Sequence, residues 1–209
     1  MITTIYSLKD IHTQVILPSA FKIKVVDVKK KSIQETNFAT GGFWAGLGDG
    51  STFPVGHLVV NGEIISNAST NPAWINVSKK NLTTLIVYND YRVEMKRISD
   101  ISQEVNVKYA ISGIPILKDG YSVSKDKVTT EGYLGSELYD TWHSFLGIRD
   151  GKIVLVGAKC THAQMPYLME VLGLNDSIKL DGGGSFIMHS MDFTTNTSEN
   201  RRIHNVITW

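Results

Sequence analysis

The sequence predicts a single α+β domain, strand-rich, with a mixed or antiparallel sheet and few helices, and three observations carry that expectation. Short alternating apolar runs recur along the chain between Gly, Asp and Asn turns. Helical periodicity is clear in one segment, near residues 162–173. The 209 residues hold no internal repeat and no low-complexity linker, so residues 1–209 read as one unit long enough to bury a core.

Taken in order, Phe21 to Val28 alternates, with Phe21, Ile23 and Val25 on one face. Lys29-Lys30-Lys31, a short basic run beside it, reads as a solvated edge or turn rather than a binding patch. Thr40-Gly41-Gly42-Phe43-Trp44 sets two aromatic residues beside a glycine pair. Leu58 to Val60, Asn61-Gly62 and Glu63 to Ile65 form a hairpin pattern, because Asn-Gly supplies the positive φ angles that a two-residue turn needs. Ile116-Leu117-Lys118-Asp119-Gly120 looks like another turn entry, and Glu137 to His143 like a second, weaker helix or turn. The clearest hairpin is Phe145 to Arg149, Asp150-Gly151, Lys152 to Val156. After it, Thr161 and Gln164 match a capping box, Met165, Leu168, Met169 and Leu172 fall on one helical face, and Gly173 ends the helix. The Met pair reads as core filler. Thr194 to Asn200 is a Ser/Thr/Asn-rich loop, and Ile203 to Ile207 a strand.

Composition narrows the function. Lys and Arg total 21 against 20 Asp and Glu, so the mean charge offers no footprint for nucleic acid. The one cysteine, Cys160, closes an apolar strand-like run and reads as a small buried hydrophobe rather than a nucleophile. No run approaches the roughly 18 apolar residues of a membrane span, and the first residues lack a signal-peptide pattern, so the expectation is a soluble, cytoplasmic protein.

The most informative segment is Ser177 to Met188, where an apolar strand delivers Asp181 to its end and Gly182-Gly183-Gly184-Ser185 follows. Glycines there let the backbone turn tightly and approach a ligand closely, with N–H groups turned to an anion. The same glycines would serve a purely structural turn or bulge.

The run Leu180-Asp181-Gly182-Gly183-Gly184-Ser185, preceded by a helix ending in Leu172-Gly173, resembles the signature of the phosphodiester glycosidase family. Thr40-Gly41-Gly42-Phe43-Trp44 resembles its early Asn-Gly-Gly-Phe-Phe element, and Pro54-Val55-Gly56 leading to Asn61-Gly62 resembles the strand pair that follows. Ser112-Gly113-Ile114-Pro115-Ile116-Leu117 with Asp119-Gly120 is similar to the middle motif, His143 to Ile148 with Asp150-Gly151 to an Arg-Thr-Ala-Ile-Gly hairpin, and Arg201-Arg202-Ile203-His204-Asn205 to a terminal Arg-Arg-Val-x-Asn. The likeness runs from about Phe21 onward. His143 stands where the family usually carries Arg, and Thr40 where it usually carries Asn, with Asn37 near enough in sequence to offer the amide.

The resemblance implies a hydrolase that cuts the bond between an anomeric carbon and a phosphate oxygen, with a phosphorylated sugar, glycan or nucleotide-like small molecule as its partner. On this reading Asp181, His143 and Arg202 are the catalytic candidates. Gly41, Gly42, Phe43, Gly182, Gly183, Gly184, Ser185 and Arg201 are the substrate-binding ones, with Phe43 and Trp44 placed to stack on a sugar or to pack the core. Asp181 would face the anomeric carbon as nucleophile, electrostatic partner or base for water, while the glycine backbone, an arginine and His143 hold the phosphate. A carboxylate beside a phosphate cradle is repelled unless a cation intervenes, and a divalent cation is one such cation. The chain has no HExxH, Cys cluster or EF-hand loop, so no metal is named. The alternative is a non-catalytic binding module for a phosphorylated sugar or nucleotide, or a structural component of a phage particle. A phage-encoded chain would work in the host cytoplasm or the virion.

Overall fold

The computed structural model describes residues 3–8, 10–46, 52–70, 81–124, 131 and 140–209. Its strands are, in chain order, β1 (Thr3–Leu8), β2 (Ile11–Ile16), β3 (Lys22–Lys29), β4 (Phe38–Thr40), β5 (Trp44–Gly46), β6 (Thr52–Pro54) and β7 (Leu58–Val60). There follow β8 (Glu63–Ser66), β9 (Leu82–Tyr88), β10 (Val93–Ile98), β11 (Val107–Ser112), β12 (Ile114–Lys118) and β13 (Tyr121–Ser122). The remainder are β14 (Thr141–Arg149), β15 (Lys152–Cys160), β16 (Asp176–Gly182), β17 (Ile187–His189), β18 (Thr194–Asn196) and β19 (Arg202–Thr208), with helix α1 (Met165–Val171) between β15 and β16.

A seven-stranded sheet runs β1-β2-β15-β14-β16-β12-β13. One five-stranded sheet runs β10-β9-β11-β7-β8, a second β18-β17-β4-β19-β3, and β5 pairs with β6 alone. Neighbours pair antiparallel throughout, with β14 and β15 in unbroken register from Thr141↔Cys160 to Arg149↔Lys152. The expected α+β class is therefore corrected to a β-rich sandwich of antiparallel sheets. The reason is that α1 spans only seven residues and every pair of hydrogen-bonded neighbouring strands runs antiparallel.

Alternation along the seven-stranded sheet fills both its faces. Leu146, Ile153, Leu155, Ile178 and Leu180 join Leu85, Val87 and Ile111 of one five-stranded sheet and Ile23, Ala39 and Ile207 of the other in a shared core. The opposite face, with Phe145, Val154 and Val156, lies under Met165, Met169 and Leu172 of the α1 region. Burying Met165 and Met169 stabilises the fold by about 1.5–3 kcal/mol each, which makes the Met pair core filler as expected.

Local chemistry explains most boundaries. Asn61-Gly62, Asp119-Gly120 and Asp150-Gly151 all take positive φ and close hairpins, as their sequences predict. The capping box of Thr161 and Gln164 is present, but it opens a 3-10 turn over His162–Gln164, and the α-helix starts only at Met165 with Pro166 in its first turn. Three expectations change. Lys30 is buried rather than solvated, Thr194–Asn196 forms a strand against β17 rather than a loop, and His143 lies in β14 rather than in a helix or turn. Residues 137–139 of that expected turn lie outside the described residues.

Candidate functional site

β16 sets Lys179 and Asp181 on one face while Ile178 and Leu180 enter the core on the other. Lys179 is 2% exposed, a buried ammonium in the strand that carries the carboxylate, and its Nζ stands 4.7 Å from the Phe43 ring centre. Its signal in the sequence is parity: a charged residue two positions before Asp181 in a strand shares its face.

Together these side chains line a pocket of about 360 Å³. Phe43 from the β4–β5 connection, Trp44 at the start of β5, Thr141 and His143 from β14, Gly182 to Gly184 from the turn, and Arg201 before β19 complete it. The fold thus brings together Asp181, His143, Arg201, Phe43 and the three glycines. Arg202 points elsewhere. Its Nε and a terminal nitrogen donate to Asp27 at 2.6 and 2.8 Å on the exposed side of β19, and it does not line the pocket.

Burial raises the Asp181 pKa above its ordinary value, opposed by the N–H of Gly182, by Lys179, by the Ser185 hydroxyl and by Arg201. The Gly182 N–H donates to Asp181 Oδ1 at 2.8 Å, and the Asp181 N–H donates to the Gly41 carbonyl at 3.0 Å. Gly41 and Gly42 are pinned in turn by Asn205, which is 2% exposed: its Oδ1 accepts from the Gly42 N–H at 2.8 Å and its Nδ2 donates to the Gly42 carbonyl at 3.3 Å. A Cβ at Gly41 would collide with the Asn205 side chain. Gly41 and Gly42 are thus backbone supports beneath Asp181, and Asn205 is a supporting residue that its motif position marked but its chemistry alone did not.

The glycine turn is held from behind. Thr197 Oγ1 lies 3.1 Å from the carbonyls of both Gly183 and Gly184, and Lys30 Nζ donates to the carbonyls of Gly184, Phe186 and Thr197 at 3.1, 3.2 and 2.8 Å. On its open side the turn is crowded at Gly182 and Gly184, while Gly183 takes a positive φ of 58°. A Cβ at Gly182 would come within 2.6 Å of the Trp142 carbonyl and 2.9 Å of His143 Nδ1, and one at Gly184 would strike the ion pair in which Arg201 Nε donates to Glu199 at 2.6 Å. His143, 1% exposed, is therefore seated against the turn itself.

Thr40 serves the same turn structurally: its hydroxyl donates to the Ser185 carbonyl at 2.7 Å and accepts from the Ile187 N–H at 2.9 Å. Asn37 donates to the carbonyl of Trp209 instead. Trp44 stacks on His204 with ring centres 4.3 Å apart, and His204 Nδ1 sits 2.7 Å from Asp27. His204 thereby supports a pocket wall from outside. His189 faces Thr194 and Phe38, and Cys160 is buried with its thiol pushed up to about 12 by desolvation, as a buried hydrophobe requires. Among the described residues no three His, Cys, Asp or Glu side chains gather as a metal site. The lining supplies Asp181 as its one carboxylate among the described residues.

A profile of the phosphodiester glycosidase family matches residues 25–208. In structure the chain is similar to the zebrafish N-acetylglucosamine-1-phosphodiester alpha-N-acetylglucosaminidase catalytic domain auto-inhibited by its pro-peptide, at 14% identity and a TM-score of 0.70, covering 100% of this chain and 81% of that one. It is also similar to a hypothetical protein from Synechocystis (12%, TM-score 0.62, 99% of this chain and 61% of that one). A putative exported protein from Burkholderia pseudomallei shares the fold as well (9%, 0.62, 95% and 73%). A search of curated sequences finds no match.

Proposed function

We propose, because the chain belongs to the phosphodiester glycosidase family, that it hydrolyses a glycosyl phosphodiester at the bond between the anomeric carbon and the phosphate oxygen. The observation that carries the proposal is the single pocket in which Asp181 and Lys179 face the glycine turn, His143 and Arg201. The phosphate lies against the turn and Arg201, whose guanidinium suits a phosphate oxygen pair. Lys179 answers the repulsion between carboxylate and phosphate, since a buried ammonium beside Asp181 offsets the negative charge without a metal step. Phe43 and Trp44 form the apolar wall for the sugar.

A phosphate monoester leaves readily, so the reaction places little demand on a general acid, and one carboxylate is enough. Asp181 faces the anomeric carbon, where its ionised form stabilises the oxocarbenium-like transition state and takes the proton of the attacking water. A pKa raised by burial makes it a stronger base than a free aspartate. His143 stands where the family usually carries an arginine, and its ring, seated against Gly182, has fewer donors to offer a phosphate than a guanidinium has.

The test is turnover of a panel of glycosyl phosphodiesters followed by proton and phosphorus NMR, with wild type and Asp181→Asn side by side. Free sugar and phosphate monoester released by wild type and lost in the variant are the expected result. Binding without turnover in both proteins would reassign the chain as a binding module for phosphorylated sugars or nucleotides.

A further inference from the structure

We infer that Lys30, which does not itself line the pocket, is the positioning residue that turns the peptides of the glycine turn toward the anion. Lys30 is 2% exposed, and its ammonium has four acceptors: the carbonyls of Gly184, Phe186 and Thr197, and Thr197 Oγ1 at 3.0 Å. Burying a lysine is costly unless every proton finds a partner. Desolvation lowers its pKa, with Glu199 acting in the opposite sense. A surface lysine would have left these carbonyls to the Thr197 hydroxyl, which has one proton to give.

Planarity of the trans peptide converts this anchor into an orientation. The carbonyl of residue i and the N–H of residue i+1 point in opposite directions across one rigid plane. With the Gly183 and Gly184 carbonyls drawn back to Thr197 and Lys30, the N–H groups of Gly184 and Ser185 are turned to the other side. Glycine is the residue that tolerates such a turn pressed against Arg201 and Glu199. The backbone of Lys30 reaches the same region, since its N–H donates to the Arg201 carbonyl at 2.9 Å, and the Lys31 N–H donates to Asn200 Oδ1 at 3.0 Å. One residue therefore fixes both groups assigned to the phosphate, the turn and Arg201.

The inference rests on the reading of the turn as an anion cradle, and inorganic phosphate probes the cradle without turnover. The experiment follows backbone amide resonances of Gly183, Gly184 and Ser185 during a phosphate titration of wild type, Lys30→Arg, Lys30→Met and Thr197→Val, with thermal unfolding of each. Wild type is expected to show saturable shifts at Gly184 and Ser185. Lys30→Met is expected to weaken phosphate binding about tenfold or more and to raise KM more than it lowers kcat, with partial recovery in Lys30→Arg. Thr197→Val, the milder change, keeps the ammonium in place and is expected to weaken binding several-fold, so the inference stays testable if Lys30→Met fails to fold. Phosphate shifts absent from wild type, or unchanged in folded Lys30 and Thr197 variants, would overturn it. A wild type that binds phosphate through Lys30 but cleaves no phosphodiester would sink the hydrolase reading and leave this one standing.

Discussion

Burial raises the pKa of Asp181, and the sign of that shift has consequences. Its pKa in the fold lies above the ordinary 3.8, so the stability it contributes is fully present below that value and is lost as pH rises through the raised one. Asp181→Asn removes this loss while keeping an acceptor for the Gly182 N–H. The variant is expected to lose about 10²- to 10⁴-fold in turnover and to gain about 1 kcal/mol at pH 7, with no gain at pH 3, as calorimetry across pH would read. Lys179 lowers the same pKa. Lys179→Met is therefore expected to move the acid limb of the kcat/KM profile to higher pH, which initial rates from pH 4 to 9 would measure. Asn205→Ala strips both hydrogen bonds from Gly42 and leaves buried backbone groups unpaired, at a cost of about 1–3 kcal/mol in urea unfolding.

At the scale of elements, β3 carries a bulge opposite β19, where the register shifts between Ile203 and Asn205 and Asp27 takes a positive φ of 44°. Bulges re-aim side chains, and this one turns Asp27 onto Arg202 and His204, behind the Trp44 wall. Asp27→Gly suits the backbone but removes the carboxylate. The expected outcome is a KM raised several-fold, a kcat near wild type and an altered Trp44 fluorescence, measured together in steady-state assays and spectra. Elements of this kind divide what is legible in the sequence from what is not. The Asn-Gly and Asp-Gly turns, the capping box and the Asp181 glycine run are local patterns and stand in the structure where the sequence puts them. The burial of Lys30 comes from partners 154 to 167 residues away, and nothing in Lys29-Lys30-Lys31 records them. Two adjacent arginines read alike in sequence, yet one lines the pocket and the other pairs with Asp27.

Across the molecule, antiparallel sheets buried on facing sides leave Cys160 in the core near α1, 6% exposed and with its thiol pKa near 12. Alkylation by iodoacetamide is expected to be slow in the native protein and to accelerate in step with loss of tertiary signal across a urea titration, so that labelling counts opening events. Fast labelling without unfolding would show a looser core than the sandwich implies. A sandwich also hides its class from a sequence reader: strands filled on both faces and one capped helical turn look like α+β until the pairing is known.

β19 lies between β4 and β3 in the middle of its sheet, not at an edge. A single proteolytic nick at Met191, the 82% exposed tip before β18, would leave Thr197, Arg201 and Asn205 on the smaller fragment and Asp181, Lys179 and Lys30 on the larger. Neither piece would hold a site, and activity would become bimolecular, returning in proportion to how often the short fragment slots back between its two neighbours. The molecule is thus a natural candidate for splitting into a complementation pair whose signal reports reassembly.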